Sequence, residues 1–459
     1  MMRTYIAHYP NRLKIDWDQL MNLGKMHPNT PSERFSMSCL AVNLSEKING
    51  VSKIHGEVSR QMFADMWKGY MPAEIPIGYV TNGVHVPSWI SERWKKFYEE
   101  NLDPDFLNKQ DDRQMWQKVN KVDQAEIWNI RNKERGDLIR YLKSRFKNVS
   151  ANNTQNPKML MEIEEKLNPA ALTIGFARRF ATYKRAHLLF RDLERLASIV
   201  NNPFMPVQFL FAGKAHPRDK AGQDLIKFII DISRQERFRG KIIFVENYEI
   251  GLAKRLIRGV DVWLNTPTRP LEASGTSGEK VVMNGGLHFS VLDGWWAEGY
   301  KAGAGWALQK DKIYDDQDLQ DQFDAQTIYT LLENEIVPLF FKRNEKGIPV
   351  AWVDIIQKSI AEVAPEFTMN RMLRDYIDRF YNKLYDRNNK LMENDYDRLS
   401  RVSTWKRKIL KAWDEIEVIN IKYPDVDMKN IEIGKHYSSD VIVDLKTLDP
   451  EEIGVEFIV

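Results

Sequence analysis

"ALTIGFARRFATYKRAHLLFRDLERLASIV", residues 171–200, holds the pattern that sets the fold. A short, mostly apolar run, 171–177, meets a basic cluster of Arg178, Arg179, Lys184 and Arg185, and helical text follows. A short apolar run with no polar alternation is the signature of a strand covered on both faces. The same unit recurs downstream as "VQFLFAG" (207–213), "KIIFVE" (241–246), "VDVWLN" (260–265) and "LHFSVL" (287–292). Helical text such as "AGQDLIKFIIDISRQE" (221–236) separates most of them. Strand and helix alternating at this pitch predict an α/β fold with a doubly wound parallel sheet. Such sheets bind ligands beyond the carboxyl ends of their strands, so the residues just after each run are the candidates.

The first such position carries the four cations, a clamp for one or two phosphates in which arginine forks and lysine acts as a point charge. The plain alternative is a solvated basic helix start, although cations there oppose the helix dipole and call for an anion. After the second run, "GKAHPRDK" offers Lys214 and His216, the latter read first as structural. After the third come Glu246, Asn247 and Tyr248, either hydroxyl ligands or a capped helix start. After the fourth comes "EASGTSGEKVVMNGG" (272–286), where a loop of small residues runs into Glu279 and Lys280. A lysine at such a loop-to-helix junction suits an anion or a Schiff base with an aldehyde cofactor. The competing reading is a capped helix with a solvent lysine. Glu272, a carboxylate beside a phosphate-type loop, suits sugar hydroxyls better than phosphate. There is no HExxH, no Cys/His cluster and no GxSxG.

At 459 residues the chain exceeds one hydrophobic core. Basic and acidic residues nearly balance, 67 against 64, so no global polycation suggests nucleic acid or membrane and any anion site is local. One cysteine, Cys39 in "FSMSCLAVNL", excludes an internal disulfide and fits a reducing compartment, with an inert core thiol expected. With no apolar run of 18 residues and no signal peptide, the chain is expected to be cytoplasmic.

Residues 1 to about 80 read as helical, with Ser32 as a cap for "SERFSMSCLAVNLSEKI" and Val58, Met62 and Met66 at helical spacing. "IPIGYVTNGVHVPSWI" (75–90) reads as a strand, a turn at Asn82–Gly83 and a helix start after Pro87. From 112 to 146 the text is a charged amphipathic helix or pair, its charges read as a solvated face. Helical text resumes over 315–415, and "GKHYSSDVIVDLKTLDPEEIGVEFIV" (434–459) predicts a small β appendage.

Five segments together, "EASGTSGEKVVMNGG", "ARRFATYKR", "ENYEIGLAKRL", "VTNGVHVPSWI" and "NGVSKIHGEVSR", strongly resemble the α-glucan phosphorylases, in their shorter bacterial and archaeal type. The resemblance covers nearly the whole chain in the family's order. It implies a GT-B-like enzyme whose Rossmann-like C-terminal lobe spans 83–420. Residues 1–82 would be the tail of the N-terminal glucan-binding lobe, and 421–459 a C-terminal β extension. It implies pyridoxal 5′-phosphate held as a Schiff base by Lys280, with the cofactor's phosphate relaying a proton to inorganic phosphate. The reaction implied is transfer of the terminal α-1,4-linked glucose of a glucan to phosphate, giving α-glucose 1-phosphate with retention.

By the same resemblance, Arg179 and Lys184 hold the substrate phosphate, and Arg178, Gly275, Thr276 and Lys184 contact the cofactor phosphate. Glu272, Ser274, Asn82, Tyr248 and Tyr183 bind the terminal glucose. Departures are also legible. The family's glycine-rich cofactor loop and its T-H-T-like histidine segment do not occur, and Glu279 stands where an apolar or small residue is usual. The expectation is cofactor binding with poor turnover by the chain alone, with a homo-oligomer or a separate N-terminal lobe chain as partner. Two alternatives remain. One is a sugar-nucleotide glycosyltransferase of the glycogen-synthase kind, which shares the two-lobed architecture and an Arg/Lys phosphate pair; Glu272 and Glu279 resemble its glutamate pair superficially, but the "EASGT…K" text favours the phosphorylase. The other is a catalytically silent glucan-binding subunit.

Overall fold

The computed structural model describes residues 2–152, 157–308, 314, 316–422 and 438–456. The ends of the β-appendage text, 434–437 and 457–459, and the 315 onset of the helical text lie outside these. Two compact units result, Met1–Tyr376 and Ile377–Val459.

The first unit opens with short helices and two strands, β1 (Ile48–Gly50) and β2 (Ile77–Tyr79), paired in parallel. The region read as wholly helical is therefore mixed. The helix Met37–Leu44 is capped by Ser36, whose Oγ accepts from the Cys39 amide, and not by Ser32. Ser36 stands directly before the first helical residue, where its oxygen reaches an orphan N–H. Cys39 is buried and free. The helix Lys53–Met62 buries Gly56 and Ser59 and leaves Met62 exposed, while Met66 lies past its end. Pro87 sits in the first turn of the helix Val86–Trp89.

All five strand readings hold, as β3 (Leu172–Ala177), β4 (Val207–Ala212), β5 (Ile242–Val245), β6 (Val262–Asn265) and β7 (Leu287–Val291). A sixth, β8 (Trp306–Leu308), extends one edge. The order β5-β4-β3-β6-β7-β8 is parallel throughout. This is the dinucleotide-fold order, and it places the topological switch between β3 and β6. Alternate residues serve opposite faces: Val207, Phe209 and Phe211 of β4 join one core, and Leu210 and Ala212 join the other. The second core is closed by Leu138, Leu142, Leu252 and Leu256 from the helices Gln124–Asn152 and Ile250–Gly259.

The charge run within Gln124–Asn152 is a solvated face only in part: Glu126, Lys133 and Arg140 are exposed, but Arg131, Glu134 and Arg135 are buried. Arg131 and Arg135 are 1% and 2% exposed. Arg135 Nη1 donates to Asp261 Oδ1 at 2.7 Å and its Nε to the Pro169 carbonyl at 2.8 Å. Arg131 donates to the carbonyls of Arg258, Val260 and Asn284 at 2.5–2.9 Å. Asp261 Oδ2 in turn accepts from the Thr173 amide at 3.0 Å. The arginines are buried because the amino edge of the sheet leaves carbonyls and one carboxylate that need donors.

In the second unit, the long helical element Asn382–Ala412 is interrupted at Glu393–Tyr396. β10 (Asp440–Asp444) falls in the text expected to form a β appendage, and it pairs antiparallel with β9 (Glu417–Lys422), which lies before that text. Among the described residues no helix is long and apolar enough to cross a membrane, and no three His, Cys, Asp or Glu residues group as a metal site.

Candidate active site

Beyond the end of β3 the backbone does not continue as a helix. Thr182–Lys184 is a single 3-10 turn, Arg185 takes a left-handed conformation at φ 47°, and the regular helix begins only at Leu193. The four cations therefore do not crowd a helix start, and no dipole argument applies to them. They part company instead. Arg185 turns inward, bridging Asp321 at 2.9 Å and Asp324 at 2.7 Å and donating to the carbonyls of Thr266 and Pro267. It ties the β6 exit to the helix Gln317–Leu331 and is no part of a phosphate clamp.

Arg178 and Lys184 converge on one carboxylate. Arg178 Nη2 lies 2.6 Å from Glu272 Oε2, and Lys184 Nζ bonds the same oxygen. Glu272 is 7% exposed and Lys184 6%. Burial lowers the Arg178 pKa from its ordinary value, and Glu272 pulls it back up. Two further Arg178 nitrogens, Nε and Nη1, are buried without a hydrogen-bond partner among the described residues, as is Ser274 Oγ. Buried donors without acceptors cost free energy unless a ligand completes them. Tyr183 and Tyr248, both half-buried, act electrostatically on Arg178, and Lys184 Nζ lies 4.4 Å above the Tyr183 ring. Arg179 does not share this carboxylate: it is exposed and forms no ion pair with a carboxylate among the described residues.

The loop from Glu272 to Lys280 then crosses the mouth of the sheet. Gly275 holds φ 81°, and a Cβ there would press the Glu272 side chain at 3.3 Å. Only glycine takes that backbone cheaply. Thr276 starts the helix Ser277–Val282 without a side-chain cap. The helix is one and a half turns long, which brings Lys280 to its last turn rather than its first. Lys280 is no solvent lysine. It is half-buried, with Nζ 3.9 Å above the Trp89 ring centroid, and desolvation lowers its pKa from the ordinary 10.5. A lowered pKa enlarges the neutral, nucleophilic amine fraction. Trp89 was not singled out in the sequence; it lies 191 residues before the lysine, and only folding joins them. Asn82, on the same segment, is half-buried, and its carbonyl accepts from Arg371 Nη2 at 3.0 Å.

The loop is anchored from beneath. Asp293 Oδ2 accepts from the Glu272 amide at 2.9 Å, and burial raises the Asp293 pKa to about 6. His288 is fully buried against Trp295 and Trp296, and burial lowers its pKa to about 3, so it stays neutral. The loop after β4 holds His216 as a local turn element, its Nδ1 accepting from the Arg218 amide. Glu249 caps the next helix through the Gly251 and Leu252 amides, leaving Tyr248 to face Arg178.

Glu279 departs from the usual logic of a buried acid. It is 1% exposed, neither oxygen has a hydrogen-bond partner among the described residues, and desolvation raises its pKa well above 4.5. The unfolded chain ionises at about the ordinary value while the folded chain holds the proton. Stability is thus fully present below that value and falls as pH rises toward the folded pKa, by about 1.4 kcal/mol per pH unit. Glu279→Met removes this slope. Denaturation midpoints at pH 5, 6 and 7 should show the variant gaining on the parent with each step; a gap that does not change with pH refutes the buried-acid assignment.

The carbohydrate phosphorylase family profile matches residues 3–299. The maltodextrin phosphorylase of Thermococcus litoralis is 37% identical over 96% of this chain and 50% of its own. The glycogen phosphorylase of Aquifex aeolicus is 44% identical over 81% of this chain and 52% of its own. That of Mycobacterium bovis is 34% identical over 92% and 49%. The chain spans about half the length of these curated relatives.

Proposed function

Because this chain belongs to the carbohydrate phosphorylase family, we propose that it forms the cofactor- and phosphate-bearing part of an α-glucan phosphorylase. The reaction is transfer of a terminal α-1,4-linked glucose from glycogen, starch or maltodextrin to inorganic phosphate, with retention, to give α-glucose 1-phosphate. Residues 1–82 are assigned to the tail of the glucan-binding lobe, 83–420 to the cofactor lobe and 421–459 to a β extension. One free, buried cysteine supports a cytoplasmic setting.

The observation that carries this reading is the convergence of Arg178, Lys184 and Glu272 at the switch between β3 and β6, one loop away from Lys280 on Trp89. These residues fit pyridoxal 5′-phosphate. Lys280 offers a desolvated amine over an aromatic face, and Arg178 has two buried N–H groups left for an anion. Lys280 would hold the cofactor through Nζ, with Arg178, Lys184 and the Gly275–Thr276 backbone on its phosphate. What the bound cofactor supplies is a phosphate group as proton relay. Two phosphates side by side repel, and the charges of Arg178, Arg179 and Lys184 would offset that repulsion, Lys184 from a buried position and Arg179 from an exposed one. Glu272 limits the excess positive charge until the anions arrive. Its carboxylate, with Ser274, Asn82, Tyr183 and Tyr248, then accepts and donates to the glucose hydroxyls.

The glutamate pair lends no support to the sugar-nucleotide alternative, because Glu279 is sealed in the interior and cannot serve as a second glutamate facing a sugar. Reconstitution with pyridoxal phosphate, borohydride reduction and peptide mapping test the cofactor assignment. Glucose 1-phosphate release from a maltodextrin separates an active chain from a silent glucan-binding one. Arg179→Ala should weaken phosphate use roughly tenfold or more while leaving cofactor retention much less changed, whereas Lys184→Ala, which removes a contact to both phosphates, should weaken phosphate use and cofactor retention together. Unaltered phosphate affinity in both variants counts against the clamp.

A further inference from the structure

The short helices that carry Trp89 and Lys280 each end with open carbonyls, and one side chain closes both. Asn284 is fully buried. Its Nδ2 donates to the Lys280 carbonyl at 2.8 Å and to the Trp89 carbonyl at 3.2 Å. Its Oδ1 accepts from the Ser91 amide at 2.9 Å. The helical partner that the Lys280 carbonyl would ordinarily find, the Asn284 amide, bonds Val281 instead. A carboxamide has two donors and one acceptor in one plane, and here all three are used. No apolar or acidic side chain of that size replaces it: leucine donates nothing, and aspartate removes both donations. Arg258 adds a second tie, donating to the Trp89 and Ile90 carbonyls at 3.2 and 2.8 Å, but it does not touch the Lys280 turn.

We propose that Asn284 is a positioning residue for the cofactor site, clamping the backbone of Lys280 to that of Trp89 so that the lysine amine is held over the indole face. The proposal rests on the assignment of Lys280 as the cofactor lysine, and it concerns this chain's own geometry before any cofactor binds. Lys280 meets charge from Glu279 beside it, and Lys254 faces the same indole at 5.9 Å. Neither group bonds Asn284, so changing Asn284 moves the lysine without altering its charged neighbours.

The test compares Asn284→Ser, Asn284→Asp and Arg258→Met with the parent chain. The first readout uses no cofactor: the rate at which an amine-modifying reagent labels Lys280, scored by peptide mapping. The second is retention and absorption of added pyridoxal phosphate. Both Asn284 variants should change the Lys280 labelling rate and weaken cofactor retention on the order of tenfold, with the absorption band displaced. Arg258→Met, which loses packing and one tie to Trp89, should move neither by more than about twofold. Equal effects in the Arg258 and Asn284 variants, or parental labelling in a folded Asn284 variant, overturn the proposal. So does failure of both Asn284 variants to fold, since the residue is then structural only. If the parent takes up no pyridoxal phosphate, the cofactor assignment fails by itself, and the labelling comparison still decides the clamp.

Discussion

Lys280→Ala should yield a folded chain that no longer fixes pyridoxal phosphate. The parent, reconstituted and reduced with borohydride, is expected to carry one cofactor mass on the peptide that contains Lys280. The variant should carry none, a loss limited only by detection. The reason is chemical: a covalent link to an aldehyde needs an unprotonated amine, and burial lowers the pKa of this one. The fold should survive because the side chain is half-buried and its described partner is the Trp89 face, a contact of roughly 0.5–2 kcal/mol. Lys280→Arg separates charge from nucleophile. It keeps a cation on the indole and offers no amine, so it too should remain without fixed cofactor. Cofactor fixed at the parental stoichiometry in either variant ends the assignment of Lys280.

Five of the six sheet strands were legible because each is an apolar run long enough to show no alternation. β8 was not, since Trp306–Leu308 follows "KAGAG" and three residues carry no period. The candidate cluster was legible as a list and not as an arrangement. Arg178 and Arg185 stand in one basic string, yet a left-handed residue sends Arg185 to Asp321 and Asp324 while Arg178 meets Glu272. No local pattern encodes that divergence. Trp89 and Asn284 are 195 residues apart, and Arg135 and Asp261 126 apart. Pairings at such separations leave no mark on periodicity, so the sequence marks neither Trp89 as the partner of Lys280 nor Arg131 and Arg135 as buried. Lys280 is marked by the loop chemistry of its own segment and by family resemblance, and folding adds the desolvation and the ring beneath it.

The second large effect is expected far from the ligand-binding edge, at Asp261. This carboxylate is 1% exposed and is paired with both Arg131 and Arg135. It also accepts from the Thr173 amide, while its own backbone bonds Thr173 and Leu287, so it joins three parallel strands at their amino ends. Asp261→Ala leaves two buried guanidinium groups without the carboxylate they share, Arg131 keeping only the more distant charge of Glu134, and one strand amide without an acceptor. Removing one partner of a buried ion pair costs about 3–5 kcal/mol, most of it the stranded charge. The unfolding transition of the Met1–Tyr376 unit, followed by tryptophan fluorescence in urea, should shift by that amount. Asp261→Asn restores the acceptor for Thr173 but not the charge, and should fall between parent and alanine. The double change Arg135→Met with Asp261→Ala should recover part of the loss, because a cation no longer lacks its acid. If Asp261→Ala costs under about 1 kcal/mol, the carbonyls of Arg258, Val260, Asn284 and Pro169 suffice to hold both arginines, and the shared carboxylate is not what keeps them inside.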